Sequence, residues 1–305
     1  MNILLTGASG QLGQELLPQL QKLGPVSQVD RAIVPGSGET IKQDLGDLNQ
    51  VEIFLNRTSP DIIVNAAAFT AVDLAEDDNV TAFRINAELP ACLARWSERN
   101  DCLLLHYSTD YVFSGEANRP YKEQDETWPL NTYGDSKRAG EWAIAASKCR
   151  HIILRTSWVY SGIGNNFLLT MLRLARERPS LSIVSDQTGC PTWARNLAEV
   201  SRKVISRLST DGPASRLQGI YHYCDGDAVS WYDFAHEIFS IATRIGLIEK
   251  VPEMTAVQSS DFPQIAERPL YSVLDMAKIR KDFGIEPAGL HQALQSCLEE
   301  MAENE

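Results

Sequence analysis

Little in this chain of 305 residues points to a membrane, a polyanion or an oxidising compartment. No apolar run approaches the ~20 residues that span a bilayer. Met1-Asn2 leads directly into a short apolar stretch, with no basic segment, apolar core and cleavage site, so no secretory leader is expected. Acidic residues outnumber basic ones by 40 to 28, and the net charge of −12 comes without a basic arm or lysine run. That balance argues against nucleic acid and anionic lipid as partners. The six cysteines (Cys92, Cys102, Cys149, Cys190, Cys224, Cys297) form no Cys-x-x-Cys and no paired spacing, which predicts buried thiols in a reduced, cytoplasmic protein. The five histidines (His106, His151, His222, His236, His291) are dispersed and read as structural. No His/Cys/Asp/Glu cluster has metal-ligand spacing, so no metal is expected. Nor do the 14 prolines and 19 glycines gather into a linker or low-complexity segment.

What is present is an ordinary globular composition, 44% apolar and 22% charged, long enough for one large domain with a smaller appendage. Asn2-Ile-Leu-Leu-Thr6 suits a buried parallel strand. It breaks at Gly7-Ala-Ser-Gly-Gln-Leu-Gly13, after which Glu15, Leu16, Leu17, Leu20 and Leu23 take helical spacing. Strand, glycine turn and helix form the setting of a dinucleotide-binding fingerprint. There Gly7 permits a tight turn, Gly10 admits a pyrophosphate to the backbone, and Gly13 lets helix and strand approach. The helix N-terminus then offers free N–H groups to the diphosphate. A second strand, Val26 to Asp30, ends in Asp30-Arg31. The carboxylate suits the ribose hydroxyls of NADH and the guanidinium suits the 2′-phosphate of NADPH, so either cofactor is expected to serve.

Strands and helices keep alternating. Gln43-Asp-Leu45 ends an extended piece, and a helix follows over Leu48–Leu55. Ile62-Ile-Val-Asn65 empties into Ala66-Ala-Ala68, Leu74 to Trp96 reads as largely helical, and Cys102 to Asp110 as a strand. This pattern predicts a doubly wound parallel Rossmann sheet through about residue 160, with chemistry beyond the strands' carboxyl ends, where Ser108, Thr109 and Asp110 lie. His151–Thr156 and Leu181–Val184 read as further parallel strands, and 197–208, 231–245, 276–283 and 290–301 as helices. Residues 161–305 are expected to form a smaller, irregular α/β substrate-binding domain, with elements around 181–222 returning to the first.

Tyr133 and Lys137 stand four apart in Asn131-Thr-Tyr-Gly-Asp-Ser-Lys-Arg-Ala-Gly-Glu141, ahead of Trp142, Ala143 and Ala146. On a helix both face the same way. A phenol donates protons usefully when its pKa is drawn toward the working pH, and an ammonium one turn away acts in that direction.

The glycine fingerprint, Asn65-Ala-Ala-Ala68, Tyr107-Ser-Thr-Asp-Tyr-Val-Phe113 and Tyr133-Gly-x-Ser-Lys137 resemble, in order and spacing, the extended short-chain dehydrogenase/reductase family. Within it the chain is similar to the dTDP-4-dehydrorhamnose reductases, through Phe69-Thr-Ala-Val-Asp73, Arg155-Thr-Ser-Trp-Val-Tyr160, Gly164-Asn-Asn-Phe167, Asp186 to Thr192 and Arg268 to Leu274. The resemblance implies reduction of dTDP-4-dehydro-β-L-rhamnose to dTDP-L-rhamnose by NADH or NADPH. Alternatives are a reductase or epimerase of another 4-keto nucleotide sugar, or a non-catalytic relative that binds a protein partner. It further implies Tyr133 as proton donor, Lys137 as its electrostatic partner and ribose ligand, and Thr109 as a hydrogen-bond donor to the carbonyl. Cofactor contacts are implied for Gly7, Gly10, Gln11, Leu12, Gly13, Asp30, Arg31, Asp44, Leu45, Ala68, Phe69, Thr70 and Tyr107. Substrate contacts are implied for Val72, Asp110, Trp158, Asn166 and Arg268. Some members of the family are dimers that share a magnesium ion between glutamates. Glu15 and Glu300 match two of those positions, but Arg195 occupies the third, and the tail from Glu299 to Glu305 is acidic. A monomer without metal is therefore expected.

Overall fold

Four apolar runs, each only four to seven residues long, settle as neighbouring strands because both sides of each are apolar. In the computed structural model, which describes residues 1–31, 40–211 and 216–304, β1 (Ile3–Thr6), β2 (Val26–Asp30), β3 (Thr40–Lys42), β4 (Ile62–Asn65), β5 (Leu103–Thr109) and β6 (His151–Thr156) are joined in one sheet. Outside it, Ser180–Val184 (β7) and Glu253–Val257 (β9) form a separate parallel pair, and Gly219–His222 (β8) adds the seventh strand of the main sheet. Its order is β8-β6-β5-β4-β1-β2-β3, all parallel. The order reverses at β1, where such sheets open a crevice at their carboxyl ends.

Register fixes what each face buries. Leu5, Val64, Leu105 and Ile152 form one row across four strands. They pack with α1 (Gln11–Gln21) and with Leu197 to Leu208 of α8 (Ala194–Asp211). Leu4, Ile63 and Leu104 form the opposite row. They meet α2 (Leu48–Thr58), α5 (Leu89–Arg99) and Ile144 of α6 (Thr132–Ala146). A further core gathers α7 (Phe167–Glu177), β7, α9 (Trp231–Arg244) and α11 (Leu290–Asn304). The chain passes between cores more than once, since Val273 to Ile285, including α10 (Ala277–Phe283), pack with the first.

The later elements refine the expectations. Leu181–Val184 is a parallel strand, as expected, and it pairs with β9 outside the main sheet. The 74–96 stretch is largely helical, as expected, in separate pieces: α3 (Val72–Asp77) stops, α4 (Asn79–Phe83) restarts on an Asp78 cap, and a π-turn over Arg84–Glu88 precedes α5. That turn aims buried Asn86 at the Phe69 backbone, accepting from its N–H at 2.9 Å and donating to its carbonyl at 2.9 Å. On α6, Trp142 is exposed, while the buried face carries Lys137, Gly140, Glu141 and Ile144.

Charge on that buried face is matched. Arg155 of β6 donates to both Glu141 oxygens, at 2.8 and 2.6 Å, with side chains only 3% and 1% exposed. Removing one member of such a pair strands the other. Arg155→Leu should lower the unfolding free energy by about 3–5 kcal/mol in a denaturant titration. A loss below about 1 kcal/mol would show that water reaches Glu141 and solvates it.

Candidate active site

The glycine turn forms one wall of a cavity of about 930 Å³ at the carboxyl ends of the strands. Gly7 has φ +69°, and a Cβ there would sit 2.6 Å from the Ala67 nitrogen. A Cβ on Gly13 would collide with the Gly7 carbonyl oxygen. These positions exclude side chains so that β1, α1 and the segment after β4 meet backbone to backbone. Gly10 caps α1 without a side-chain bond, leaving backbone donors at the helix start. Asp30 closes the turn, accepting from the Ser9 N–H at 2.9 Å. A dinucleotide fits what these residues present: a glycine cradle, a helix N-terminus, and both Asp30 and Arg31 on the same wall.

Tyr133 and Lys137 come to the cavity from the first two turns of α6. Asn131 caps the helix by accepting from Gly134 N–H at 2.8 Å, and Glu76 accepts from both the Thr132 N–H and hydroxyl. Burial pushes the Tyr133 phenol up to about 12, against the partial lowering by the Thr109 hydroxyl. Burial pushes Lys137 down to about 8, with Glu141 opposing. The phenol is therefore raised, whereas the four-residue spacing predicted that Lys137 would lower it. The lysine nitrogen is turned to the sheet, donating to the Tyr107 carbonyl at 2.5 Å and lying 3.4 Å from His106 Nε2. Beneath it, Thr6, Asn65 and His106 form a polar row across β1, β4 and β5. Thr6 donates to Asn65 at 2.6 Å, and Asn65 Nδ2 lies 3.0 Å from His106 Nδ1.

At the end of β5, Thr109 donates to Asp110 Oδ1 at 3.1 Å. Burial pushes Asp110 up to about 7, although the Ser272 and Thr109 hydroxyls hold it down in part. Its Oδ2 and the Ser108 hydroxyl are buried without partners among the described residues, and both residues line the cavity. Unpaired polar atoms on a cavity wall are where a polar ligand completes the hydrogen bonding.

Most residues singled out from the sequence meet here. Gly7, Gly10, Gln11, Leu12, Gly13, Asp30, Arg31, Leu45, Ala68, Phe69, Thr70, Val72, Tyr107, Thr109, Asp110, Tyr133, Lys137 and Trp158 all line the cavity. Asp44, Asn166 and Arg268 do not. Asp44 accepts from Gly46 N–H in its own turn. Asn166 caps α7 and donates to Gln11 Oε1 at 3.1 Å, so it touches the wall from behind. Arg268 donates to Asp73 at 2.9 Å. Thr81, Ile85, Ser157 and Trp231 line the cavity but were not found from the sequence. Trp231 carried a detectable signal as an aromatic at a helix start behind a Ser-x-x-Asp capping pattern. Glu15 and Glu300 lie together, both bonded to Arg195, with Glu15 Oε2 2.9 Å from Arg195 Nε; Glu305 falls outside the described residues.

Comparison with known proteins places this architecture. The family described as "RmlD substrate binding domain" matches residues 1–303. A dTDP-4-dehydrorhamnose reductase of Salmonella typhimurium is 40% identical over 93% of this chain and 93% of its own. Among solved structures, a dTDP-4-dehydrorhamnose reductase from Clostridium acetobutylicum is 35% identical with TM-score 0.87, covering 99% of each chain. One from Bacillus anthracis, in complex with NADP, is 32% identical with TM-score 0.87, covering 98% of this chain and 99% of that one.

Asp110 gives this cavity a measurable signature. Its carboxyl should titrate near pH 7 when followed by carbon NMR of labelled aspartate in the ligand-free protein. In Thr109→Val the midpoint should rise, because a donor to the charged form is lost. An ordinary carboxylate midpoint near 4 would mean that water solvates Asp110.

Proposed function

The chain belongs to the RmlD family, and from that premise we propose that it converts dTDP-4-dehydro-β-L-rhamnose to dTDP-L-rhamnose. It is an oxidoreductase, and its cofactor is a nicotinamide dinucleotide, NADH or NADPH. The product is an activated rhamnose for surface polysaccharide synthesis. The observation that carries the reading is the meeting of Thr109, Tyr133 and Lys137 with the glycine turn in one cavity. Reaction in the cytoplasm accords with six cysteines that are all free and buried.

The bound cofactor supplies hydride to the carbonyl carbon. Tyr133 gives the carbonyl oxygen its proton, and a phenol near 12 stays loaded for that task at neutral pH. Thr109 hydrogen-bonds the same oxygen and favours the charge that develops on it. Lys137 donates to the Tyr107 carbonyl, which leaves ammonium hydrogen for the cavity side. There its charge favours the phenolate left on Tyr133 and holds the ribose of the cofactor. Asp110 and Trp158 take the sugar, and Val72 lies on the same wall. Asn166 and Arg268 reach substrate only if it extends beyond the present wall. Residues 1–160 supply the dinucleotide side together with Val72, Thr109, Asp110, Tyr133 and Trp158, and from residues 161–305 Gly164, Asn165 and Trp231 complete the cavity wall. Either dinucleotide is accepted, since Asp30 and Arg31 both line the cavity.

Tyr133→Phe should keep dinucleotide affinity and lower kcat by ~10²–10⁴-fold, measured with the 4-keto sugar and with NADH and NADPH in turn. Undiminished turnover would remove Tyr133 from the role of proton donor. Conversion of sugar without net loss of reduced cofactor in the parent would make the protein an epimerase.

The lysine sets a pH limb. Lys137 is charged below about 8 and neutral above it, and only the charged form stabilises the phenolate. In the parent enzyme kcat/KM should therefore fall about tenfold per pH unit above that value. A level profile through the same range would show that Lys137 does not govern the free enzyme.

Arg195 sets the expectation for metal. Its guanidinium bonds both Glu15 and Glu300 within one chain, so a fixed cation already occupies the place of a shared magnesium. Those residues do not fit the metal, whose ligands are oxygens. Light scattering should find a monomer in magnesium and in EDTA alike, with an unchanged Tm. A dimer that separates on chelation would show that other carboxylates hold a cation.

A further inference from the structure

We propose that Trp231 is a positioning residue for the sugar, holding Trp158 in place so that its indole forms the wall against the hexose ring. This rests on the nucleotide-sugar reading above. Trp158 lies on the cavity between Ser157 and Val159, in an unusual backbone state for a bulky residue, φ +47°. Left-handed backbone at a tryptophan is unfavourable and persists where its surroundings impose it. The imposing groups are in view. The Trp231 ring stacks on Trp158 with centroids 3.4 Å apart and planes 5° from parallel. A Cβ on Gly189 would lie 2.5 Å from Trp158 Cε2, so only glycine leaves the indole its space.

Both neighbours come from one small ladder. Gly189 pairs with Val229 and Thr188 with Ser230, antiparallel, immediately before α9 begins at Trp231. Trp231 is itself pinned from several sides. Its Nε1 donates to Gln187 Oε1 at 3.1 Å, and the Phe167 ring lies 4.5 Å away. The Ser230/Asp233 capping box fixes the start of its helix. Ladder, cap and ring contact therefore converge on the orientation of a single indole in the cavity.

An indole face suits the occupant. A 6-deoxyhexose presents C–H groups and a methyl to one side and hydroxyls to the rim, and the C–H side packs on an aromatic face. With Trp231 stacked over one face of Trp158, the indole surface left on the cavity is presented in one pose rather than several, which reduces the ordering cost on binding.

The test separates sugar from nucleotide by comparing Kd for dTDP with Kd for dTDP-L-rhamnose, measured by calorimetry. The ratio is the contribution of the sugar. Trp231→Leu should reduce that ratio ~3–10-fold while leaving the affinities for dTDP and NADPH unchanged, and Trp231→Phe should restore most of it. In a Trp158→Leu background the same Trp231→Leu change should have no further effect, because its action passes through Trp158. An unchanged ratio in Trp231→Leu overturns the inference. So does an additive loss in the double variant, which would make Trp231 a direct sugar contact, or an equal fall in dTDP affinity, which would make it structural. A parent protein that binds dTDP-L-rhamnose no better than dTDP removes the substrate reading itself, and this inference with it.

Discussion

Glu141 meets Arg155 one turn beyond Lys137 and two turns beyond Tyr133, on the same buried face of α6. Helices meet sheets through apolar side chains, and this face has few: Gly140 lets the helix approach the Asn86 carbonyl, and Ile144 alone is a large hydrophobe. The bidentate ion pair therefore takes over the work of orientation, because two parallel hydrogen bonds admit one rotation of the helix and one height along it. Arg155 in turn lies over Phe113, with Nη1 3.4 Å from His222 Nε2, so the constraint spreads to the sheet edge at β8. A buried pair is weak evidence for stability in itself. Its value here is geometric, since a rotated α6 would turn Tyr133 and Lys137 away from Thr109.

The same dryness that makes this pair strict acts on the reacting groups. Burial raises Tyr133 and Asp110 and lowers Lys137, so all three move toward their neutral forms. Burial thus disfavours the charged form of each, while Asp110 Oδ2 and the Ser108 hydroxyl remain unpaired among the described residues. A site in this condition gains from a polar guest twice, through new hydrogen bonds and through the recovery of charge that those bonds permit.

Local sequence was a good guide wherever one residue type answered one physical need. The run at 62–65 had to be buried on both faces, and Gly7 and Gly13 had to be side-chain-free, so strand, turn and crevice were all legible. The helical spacing of Tyr133 and Lys137 was legible too. What their environment does to them was not, because desolvation depends on how completely a fold closes. Trp142 fits the helix but says nothing of its inner face. Apolar residues mark a helix's inner face only when the inner face is apolar, and on α6 the tryptophan instead lies under Arg138 at the surface. Leu181–Val184 read correctly as a strand, yet its partner was another irregular segment, β9, which no periodicity announced. Arg268 has a carboxylate partner, Asp73, that lies 195 residues away in the chain and that no local pattern announced.

The chain's repeated passage between cores has a consequence for the order in which the protein takes shape. The main sheet is complete with β8, and α8 covers it, by residue 222. The second core includes Leu290, Leu294 and Leu298 of α11 alongside Phe234, Ile238 and Met171. On a ribosome, the dinucleotide side can therefore condense while the sugar side still lacks an inner wall. For that interval Phe234, Ile238 and Met171 have no α11 to cover them, and the nascent chain carries a completed sheet, still without Val273 to Ile285, beside an open core.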